Sequence, residues 1–155
     1  MAKVEIKYVE VYVIRKFPNN ETRFLVLKRS DNSKKLPGKW QVVTGKIDGN
    51  EKAYEAALRE LKEETGLSPI YFASLQNVTT VYDHNEDSVL AIPLFLAETD
   101  SDNVQLSNEH SEFAWLSFER AAGRVHWLNQ GENIIKANDF LNDPDLFSTL
   151  EEIKL

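Results

Sequence analysis

The sequence predicts an α+β protein, and three observations support this class. Several segments rich in β-branched and aromatic residues, typical of strands, follow one another along the chain. One segment, Glu51–Thr65, is dominated by Ala, Leu, Glu, Lys and Arg and predicts a helix within that run. The other predicted helices come after the last strand. Strands and helices therefore do not alternate as they would in repeating βαβ units.

The first half of the chain predicts three strands divided by polar turns. They are Val4–Arg15, then Arg23–Lys28 after the turn FPNNET, then Trp40–Thr44 after the basic loop SDNSKKLPGK. Gly45–Asn50 is a glycine-containing polar turn that leads into the helix, and Gly66 is positioned to end that helix.

The second half predicts two longer strands and a helical C-terminal region. The strands are Ile70–Tyr82 and Ser88–Glu98, and the polar stretch 99–112 is expected to form a loop before a last short strand at Phe113–Leu116. Helices are expected near Phe118–Gly123 and Gly131–Leu141, with a third after Pro144.

Length and composition favour an ordinary globular protein. The 155 residues favour a single domain over 1–155, with 42% apolar and 28% charged residues. The absence of cysteine excludes disulfides and thiolate chemistry and fits a cytoplasmic location. The alternating, charged N-terminus is unlike a signal peptide, and no apolar run predicts a membrane span.

The formal net charge of −7 argues against a polymeric nucleic acid as partner, because basic phosphate contacts provide most of that affinity. A small anionic ligand remains compatible with the sequence if a metal ion or a few placed cations offset the repulsion.

The segment RELKEETG places three glutamates on one part of the predicted helix. Glu60 and Glu64 stand one turn apart, and like charges at this spacing destabilise a helix by about 0.2–0.5 kcal/mol. A solvated face stabilised by ion pairs is the common explanation for such a run, but only Glu63 has a basic partner one turn away, Arg59. Three carboxylates over small neighbours suit a hard divalent cation that keeps positions open for phosphate oxygens.

The pattern from Gly45 through Glu51 to Arg59–Leu67 resembles the Nudix box of the Nudix hydrolases. The resemblance implies a Nudix fold, in which a mixed sheet lies between helices as an α/β/α sandwich and the box forms a loop–helix–loop. It also implies that Mg²⁺ or Mn²⁺ is required and that the substrate is a nucleoside diphosphate linked to another group.

The same resemblance implies the site residues. Glu60, Glu63 and Glu64 are expected to bind the metal, together with the Gly45 carbonyl, and Arg59 to orient the glutamates. Glu51 is expected to have a structural role toward the turn. The general base is expected to be one of the helix glutamates or a loop acid, and Glu60 is the favoured choice.

Two short segments outside the box are similar to one Nudix branch, the bacterial dihydroneopterin triphosphate pyrophosphohydrolases, which also hydrolyse dATP. These are the strand from Trp40 to Gly45 and the pair Glu109-His110. The similarity implies that Glu109 is a further metal ligand. His110 is given no role.

Basic residues before the box are candidates for substrate binding. Arg29 is preferred because arginine binds phosphate in a bidentate way, and Lys39 and Trp40 are also candidates, although Trp40 could instead lie in the core.

The predicted reaction is hydrolysis of a nucleotide or pterin triphosphate to a monophosphate and pyrophosphate. The alternatives are a hydrolase of dinucleoside polyphosphates or nucleotide sugars, and a Nudix-fold module that binds a nucleotide without cleaving it. The oligomeric state is not predicted.

Overall fold

A computed structural model describes residues 1–155 and places them in a nine-stranded mixed sheet with helices on both faces. The strands are β1 Lys3–Glu5, β2 Tyr8–Phe17, β3 Glu21–Arg29, β4 Trp40–Gln41, β5 Val43–Lys46, β6 Tyr71–Asp83, β7 Ser88–Glu98, β8 His110–Leu116 and β9 Glu151–Glu152. The helices are α1 Ala53–Thr65, α2 Phe118–Arg124, α3 Leu128–Asn142 and α4 Pro144–Phe147. The α/β/α class predicted from the sequence is confirmed.

The centre of the sheet is a parallel pair formed by β2 and β7. Around this pair the strand order is β4-β3-β2-β7-β6-β9, with β8 on β3, β5 on β2 and β1 on β7. The pairs β1–β7 and β2–β7 are parallel, and the other pairs are antiparallel. Burial of β2 on both faces agrees with its near-continuous apolar sequence.

Alternation along β2 divides the core into two layers. Val9, Val11 and Val13 pack with α1, whereas Tyr12 and Ile14 face the layer that contains α2 and α3. By the same alternation, Glu10 lies on the face of β2 that carries Tyr12 and Ile14. Helix α1 and the C-terminal helices therefore lie on opposite sides of the same strand.

Two predicted strands are each divided in the structure. The segment Val4–Arg15 becomes β1 and β2, which pair with different parts of β7. The segment Trp40–Thr44 becomes β4, which pairs with β3, and β5, which pairs with β2. At the switch, the backbone N–H of Val42 donates to the side-chain oxygen of Gln130 at 3.0 Å rather than to a strand.

Some predicted boundaries were wrong by a few residues for physical reasons. The main helix begins at Ala53 rather than Glu51, because the Glu51 carboxylate accepts from the Asp48 N–H at 2.7 Å in the preceding turn. Strand β8 begins at His110, which shortens the predicted loop, and α3 begins at Leu128. Gly66 ends α1 with a φ of 73°, as predicted.

No helix in the structure combines the length and apolar character required to span a bilayer. The cytoplasmic location stays a prediction.

Candidate metal and phosphate site

The three glutamates of α1 differ sharply in exposure. Glu64 is only 3% exposed, and its Oε2 atom has no hydrogen-bond partner. Glu60 is partly buried, whereas the Glu63 side chain is 59% exposed and turns toward Arg59. Only Glu64 of the three thus has a buried carboxylate oxygen without a partner, a costly arrangement in the absence of a cation.

Arg59 connects the helix to the turn before it. Its Nη2 donates to the Lys46 carbonyl at 2.7 Å and to Glu51 Oε1 at 2.6 Å, and its Nε donates to Glu51 Oε2 at 3.2 Å. Its Nη1 donates to Glu60 Oε1 at 2.9 Å and to Glu63 Oε2 at 3.2 Å. One planar guanidinium therefore donates hydrogen bonds to three carboxylates and a carbonyl, which lysine could not do.

Gly45 makes the close approach of Glu60 possible. A Cβ built on Gly45 would overlap the Glu60 side chain. Strand β5 holds this glycine against β2, where it pairs with Val9. The absence of a side chain at position 45 therefore lets the Glu60 side chain lie against the β5 backbone. The family resemblance implies that the Gly45 carbonyl is a metal ligand.

A second carboxylate reaches Glu64 from outside the helix. Ligand atoms of Glu64, Glu109 and His110 lie within 4.8 Å of one another. The backbone around Glu109 is fixed, since Ser30 N–H donates to the Glu109 carbonyl at 2.9 Å and Ser30 Oγ to the Asn108 carbonyl at 2.8 Å. Glu60 and Glu63 do not belong to this tight cluster.

His110 is the site residue that sequence reasoning missed. It is 3% exposed, and its Nε2 lies 3.0 Å from Gln41 Nε2, while its Nδ1 has no partner. Burial, and then the charge of Arg29, lower the pKa of His110 to about 4. The imidazole is therefore neutral at pH 7. Its Nδ1 can bind a metal when the Gln41 amide turns its oxygen toward Nε2, because Nε2 then carries the ring proton. The adjacent Glu109 was the only signal in the sequence.

The electrostatics of the acidic cluster are unfavourable to the protein alone. Burial raises the pKa of Glu64 well above its usual range, and the charges of Glu60 and Glu109 raise it further. Burial also raises the pKa of Glu60, against the lowering effect of Arg59. Both shifts indicate a place where negative charge accumulates without enough positive charge nearby.

These residues fit a divalent cation. The donor set consists of carboxylate oxygens, a backbone carbonyl position and one neutral imidazole, and it contains a buried oxygen that has no other partner. The residues that could hold the ion are Glu60, Glu63, Glu64, Glu109, Gly45 and His110. The ligand roles of the first five stay predictions, and His110 is added because its ring lies in the tight cluster.

The predicted substrate-binding residues lie at different distances from this cluster. Arg29 is close enough for its charge to lower the pKa of Glu64 and His110. Its Nε donates to the Lys35 carbonyl at 2.7 Å and its Nη2 to Ser33 Oγ at 2.6 Å. Lys39 is exposed, and Trp40 packs against the core with the Arg124 guanidinium 5.0 Å from its ring centroid.

A pocket of about 320 Å³ adjoins the cluster on the α3 side of the sheet. Arg29, Gln41 and Thr44 line it at the edge nearest the acidic residues, and neither Lys39 nor Trp40 lines it. Gln41 bonds to His110, and Thr44 precedes Gly45, so the pocket and the cluster share neighbouring backbone. The volume is at the small end of the range for ligand sites.

Comparison with known proteins identifies a family for this chain. A sequence profile described as NUDIX domain matches residues 8–136, most of the chain. The dihydroneopterin triphosphate diphosphatase of Haemophilus influenzae is 26% identical over 149 residues, covering 81% of this chain and 91% of that protein.

Two further relatives extend the comparison. The asymmetrical bis(5'-nucleosyl)-tetraphosphatase of Mus musculus is 27% identical over 133 residues, covering 84% of this chain and 88% of that protein. A protein from Listeria monocytogenes described as a NUDIX hydrolase is 28% identical in sequence. Its crystal structure superposes with a TM-score of 0.75, covering 91% of this chain and 97% of that protein.

Proposed function

The chain belongs to the Nudix family of hydrolases, and from that premise we propose that it is a metal-dependent pyrophosphohydrolase of small triphosphates. It hydrolyses phosphoric anhydride bonds and acts on nucleoside triphosphates or dinucleoside polyphosphates. We assign it a triphosphate of the dATP or dihydroneopterin type, with monophosphate and pyrophosphate as products. The similarity of the chain to the Haemophilus enzyme supports this assignment.

The single observation that carries the proposal is the buried, partnerless oxygen of Glu64 beside Glu109 and His110. A protein that only bound a nucleotide would have no need for an acidic cluster so costly to bury, since the cluster repels the ligand's phosphates. The family's divalent metal accounts for both the cluster and its position next to a pocket.

A bound Mg²⁺ or Mn²⁺ would supply positive charge against the phosphate oxygens and increase the acidity of water at the site. The imidazole of His110 makes the site more favourable to Mn²⁺ than an all-oxygen site would be.

The protein's own residues provide position and proton transfer. A water oxygen forms a bond to one phosphorus, the bridging P–O bond breaks, and pyrophosphate leaves with the electron pair. Glu60 is proposed to take the proton from that water, because its pKa is already raised and Arg59 fixes its carboxylate. Glu63 is proposed to assist on the solvent side.

Cationic residues at the pocket edge are proposed to hold the phosphate chain. Arg29 is positioned for this by bonds to the 33–35 loop. Lys39 would contribute long-range attraction from the surface. Direct contact of Trp40 with the substrate is a proposal as well. Its packing against the core supports an indirect role, in which it shapes the basic loop before β4.

The test is a substrate panel with and without Mg²⁺ and Mn²⁺. It contains dATP, dihydroneopterin triphosphate, a dinucleoside tetraphosphate and a nucleotide sugar, with products separated by chromatography. We expect monophosphate and pyrophosphate, and only with metal. Orthophosphate as the first product would contradict the assigned bond. Binding of the panel without any turnover would favour the non-catalytic module.

A further inference from the structure

The floor of the pocket contains a buried carboxylate that the proposed reaction does not use. Glu10 lies on β2, is 6% exposed and lines the pocket together with Gln130 from α3. It is far from the acidic residues of α1 in sequence and faces the opposite side of the sheet from that helix. No basic side chain forms an ion pair with it.

Neutral donors fix both oxygens of Glu10. Gln130 Nε2 donates to Glu10 Oε2 at 2.8 Å, and the Tyr12 hydroxyl donates to Glu10 Oε1 at 2.9 Å. The Gln130 amide cannot be turned round, because its oxygen already accepts from the Val42 N–H at 3.0 Å. The direction of both hydrogen bonds is therefore set by the network.

A third residue sets the direction of the Tyr12 hydroxyl. Asn133 Nδ2 donates to the Tyr12 oxygen at 3.0 Å and to Thr79 Oγ1 at 2.9 Å, so the tyrosine proton is free to point at Glu10. Glu10 thus receives two donors, and neither hydrogen bond requires a proton on the carboxylate. Each carboxylate oxygen retains acceptor capacity, because an ionised carboxylate offers about four lone-pair sites.

The walls of the pocket suit a flat ring. Val81, Leu90 and Ile92 provide apolar surface on the sheet, and Trp127 stands at the start of α3 with 47% of its surface exposed. An exposed tryptophan beside an apolar wall is a good stacking surface for a heterocycle. Arg29 and Thr44 also line the pocket. Arg29 pairs with His110 between β3 and β8, and Thr44 directly precedes Gly45, so the pocket adjoins the acidic cluster.

We propose that Glu10 selects substrates whose ring presents two adjacent N–H donors, as guanine and pterins do. This inference rests on the proposed function and names the ring class that the same site takes. A ring N–H and the neighbouring amino group of guanine or a pterin match the two oxygens of a carboxylate. Adenine places an acceptor nitrogen next to its amino group, which the carboxylate repels. Of the two types named in the proposed function, the pterin triphosphate is therefore favoured and dATP is the poorer substrate.

The first experiment compares dGTP, dITP and dATP on the unaltered protein with metal. Hypoxanthine keeps the ring N–H of guanine but lacks the amino group, so dITP presents one donor of the two. We expect kcat/KM to fall in the order dGTP, dITP, dATP, with about tenfold between the first and last, as for a bidentate contact. Equal values, or a preference for dATP, would overturn the proposal.

The second experiment uses Glu10→Gln, which keeps the shape and replaces one acceptor by a donor. The dGTP to dATP ratio of kcat/KM should fall to near one or invert, since an amide pairs well with adenine. Glu98→Gln is the matched control, because that strand glutamate pairs with Lys16 at 3.5 Å and does not line the pocket. The control should retain the ratio of the unaltered protein. A folded Glu10→Gln that also retained it would contradict the role of Glu10.

A third measurement separates this inference from the proposed reaction. If none of the three triphosphates is hydrolysed, their binding is measured by calorimetry instead. If dGTP then binds most tightly, the proposed hydrolysis is wrong but the ring assignment stands. Binding without discrimination, or no binding of any of the three, would overturn the ring assignment. Should Glu10→Gln not fold by circular dichroism, the order measured on the unaltered protein decides.

Discussion

Glu64 and Glu10 are two buried glutamates on opposite faces of the same sheet, and their surroundings are opposite in chemistry. Glu64 is 3% exposed and Glu10 6%. Glu64 has an oxygen without a partner and is surrounded by the like charges of Glu60 and Glu109. Glu10 has two neutral donors and no charged neighbour in an ion pair. An unsatisfied buried charge requires a cation, whereas a satisfied one is available to recognise a polar ligand.

The strongest test of the difference is Glu64→Gln. The change keeps size and removes a ligand charge, so metal-dependent turnover should fall roughly 100- to 1,000-fold. Without metal, the melting temperature should stay level or rise, because the substitution removes repulsion with Glu60 and Glu109. Steady-state kinetics and thermal melts measure both. Glu132→Gln, at an exposed position of α3, is the control. Near-normal turnover of Glu64→Gln at saturating metal would show that Glu64 is not a ligand.

Gly45→Ala tests whether the acidic cluster depends on close backbone approach. The added methyl group would overlap the Glu60 side chain and move its carboxylate. A displacement of about 1 Å in a catalytic group costs roughly 100-fold in turnover, and that loss is expected here with metal present. Gly123→Ala serves as the control, since a Cβ there meets no atom within 4 Å. Comparable activity of both variants would show that the position of the Glu60 carboxylate does not matter for the reaction.

Glu109→Ala removes the carboxylate that approaches Glu64 from outside the helix. Turnover should fall roughly tenfold, with a weaker response to metal, because other ligands remain. Glu112→Ala, two strand positions from His110 and paired with Lys28 at 2.7 Å, should do little. Titrating both variants with Mn²⁺ provides the comparison. Equal effects would mean that the Glu109 and Glu112 carboxylates contribute only bulk charge.

The smallest expected effect concerns the pH dependence of stability at Glu10. Burial raises the pKa of Glu10 above its ordinary value of 4.5, against the two hydrogen bonds that it accepts. In the window above 4.5 the folded state binds more protons than the unfolded state. This contribution to the free energy of unfolding therefore falls as pH rises and is lost above the folded pKa.

Glu10→Gln cannot titrate, so its melting temperature relative to the unaltered protein should rise across that window and then level off. The other ionisable groups around Glu10 are Tyr8 and Tyr12 on its own strand and Arg29 and Lys35, which line the same pocket. They are present in both proteins and cancel in the difference. A difference that did not change with pH would show that Glu10 has the same pKa in the folded and unfolded states.

The helix was predictable from the sequence because its determinants are local. The spacing of Arg59 and Glu63, the like charges at Glu60 and Glu64 and the glycine at position 66 all lie within a few turns. The pocket was not predictable in the same way. Glu10 and Gln130 are 120 positions apart, and nothing in the alternation of β2 indicates which polar partner meets a glutamate on its inner face. Likewise, His110 joins the site only because β8 pairs with β3.

The network of Arg59 has a consequence for the thermodynamics of ligand binding. Ordering a residue of backbone costs about 1–2 kcal/mol of conformational entropy. Arg59 holds the turn at Lys46 and Glu51 against α1 through hydrogen bonds within the protein alone. That entropy is therefore lost during folding rather than during binding, so metal binding should involve little ordering of the turn and a small change in heat capacity.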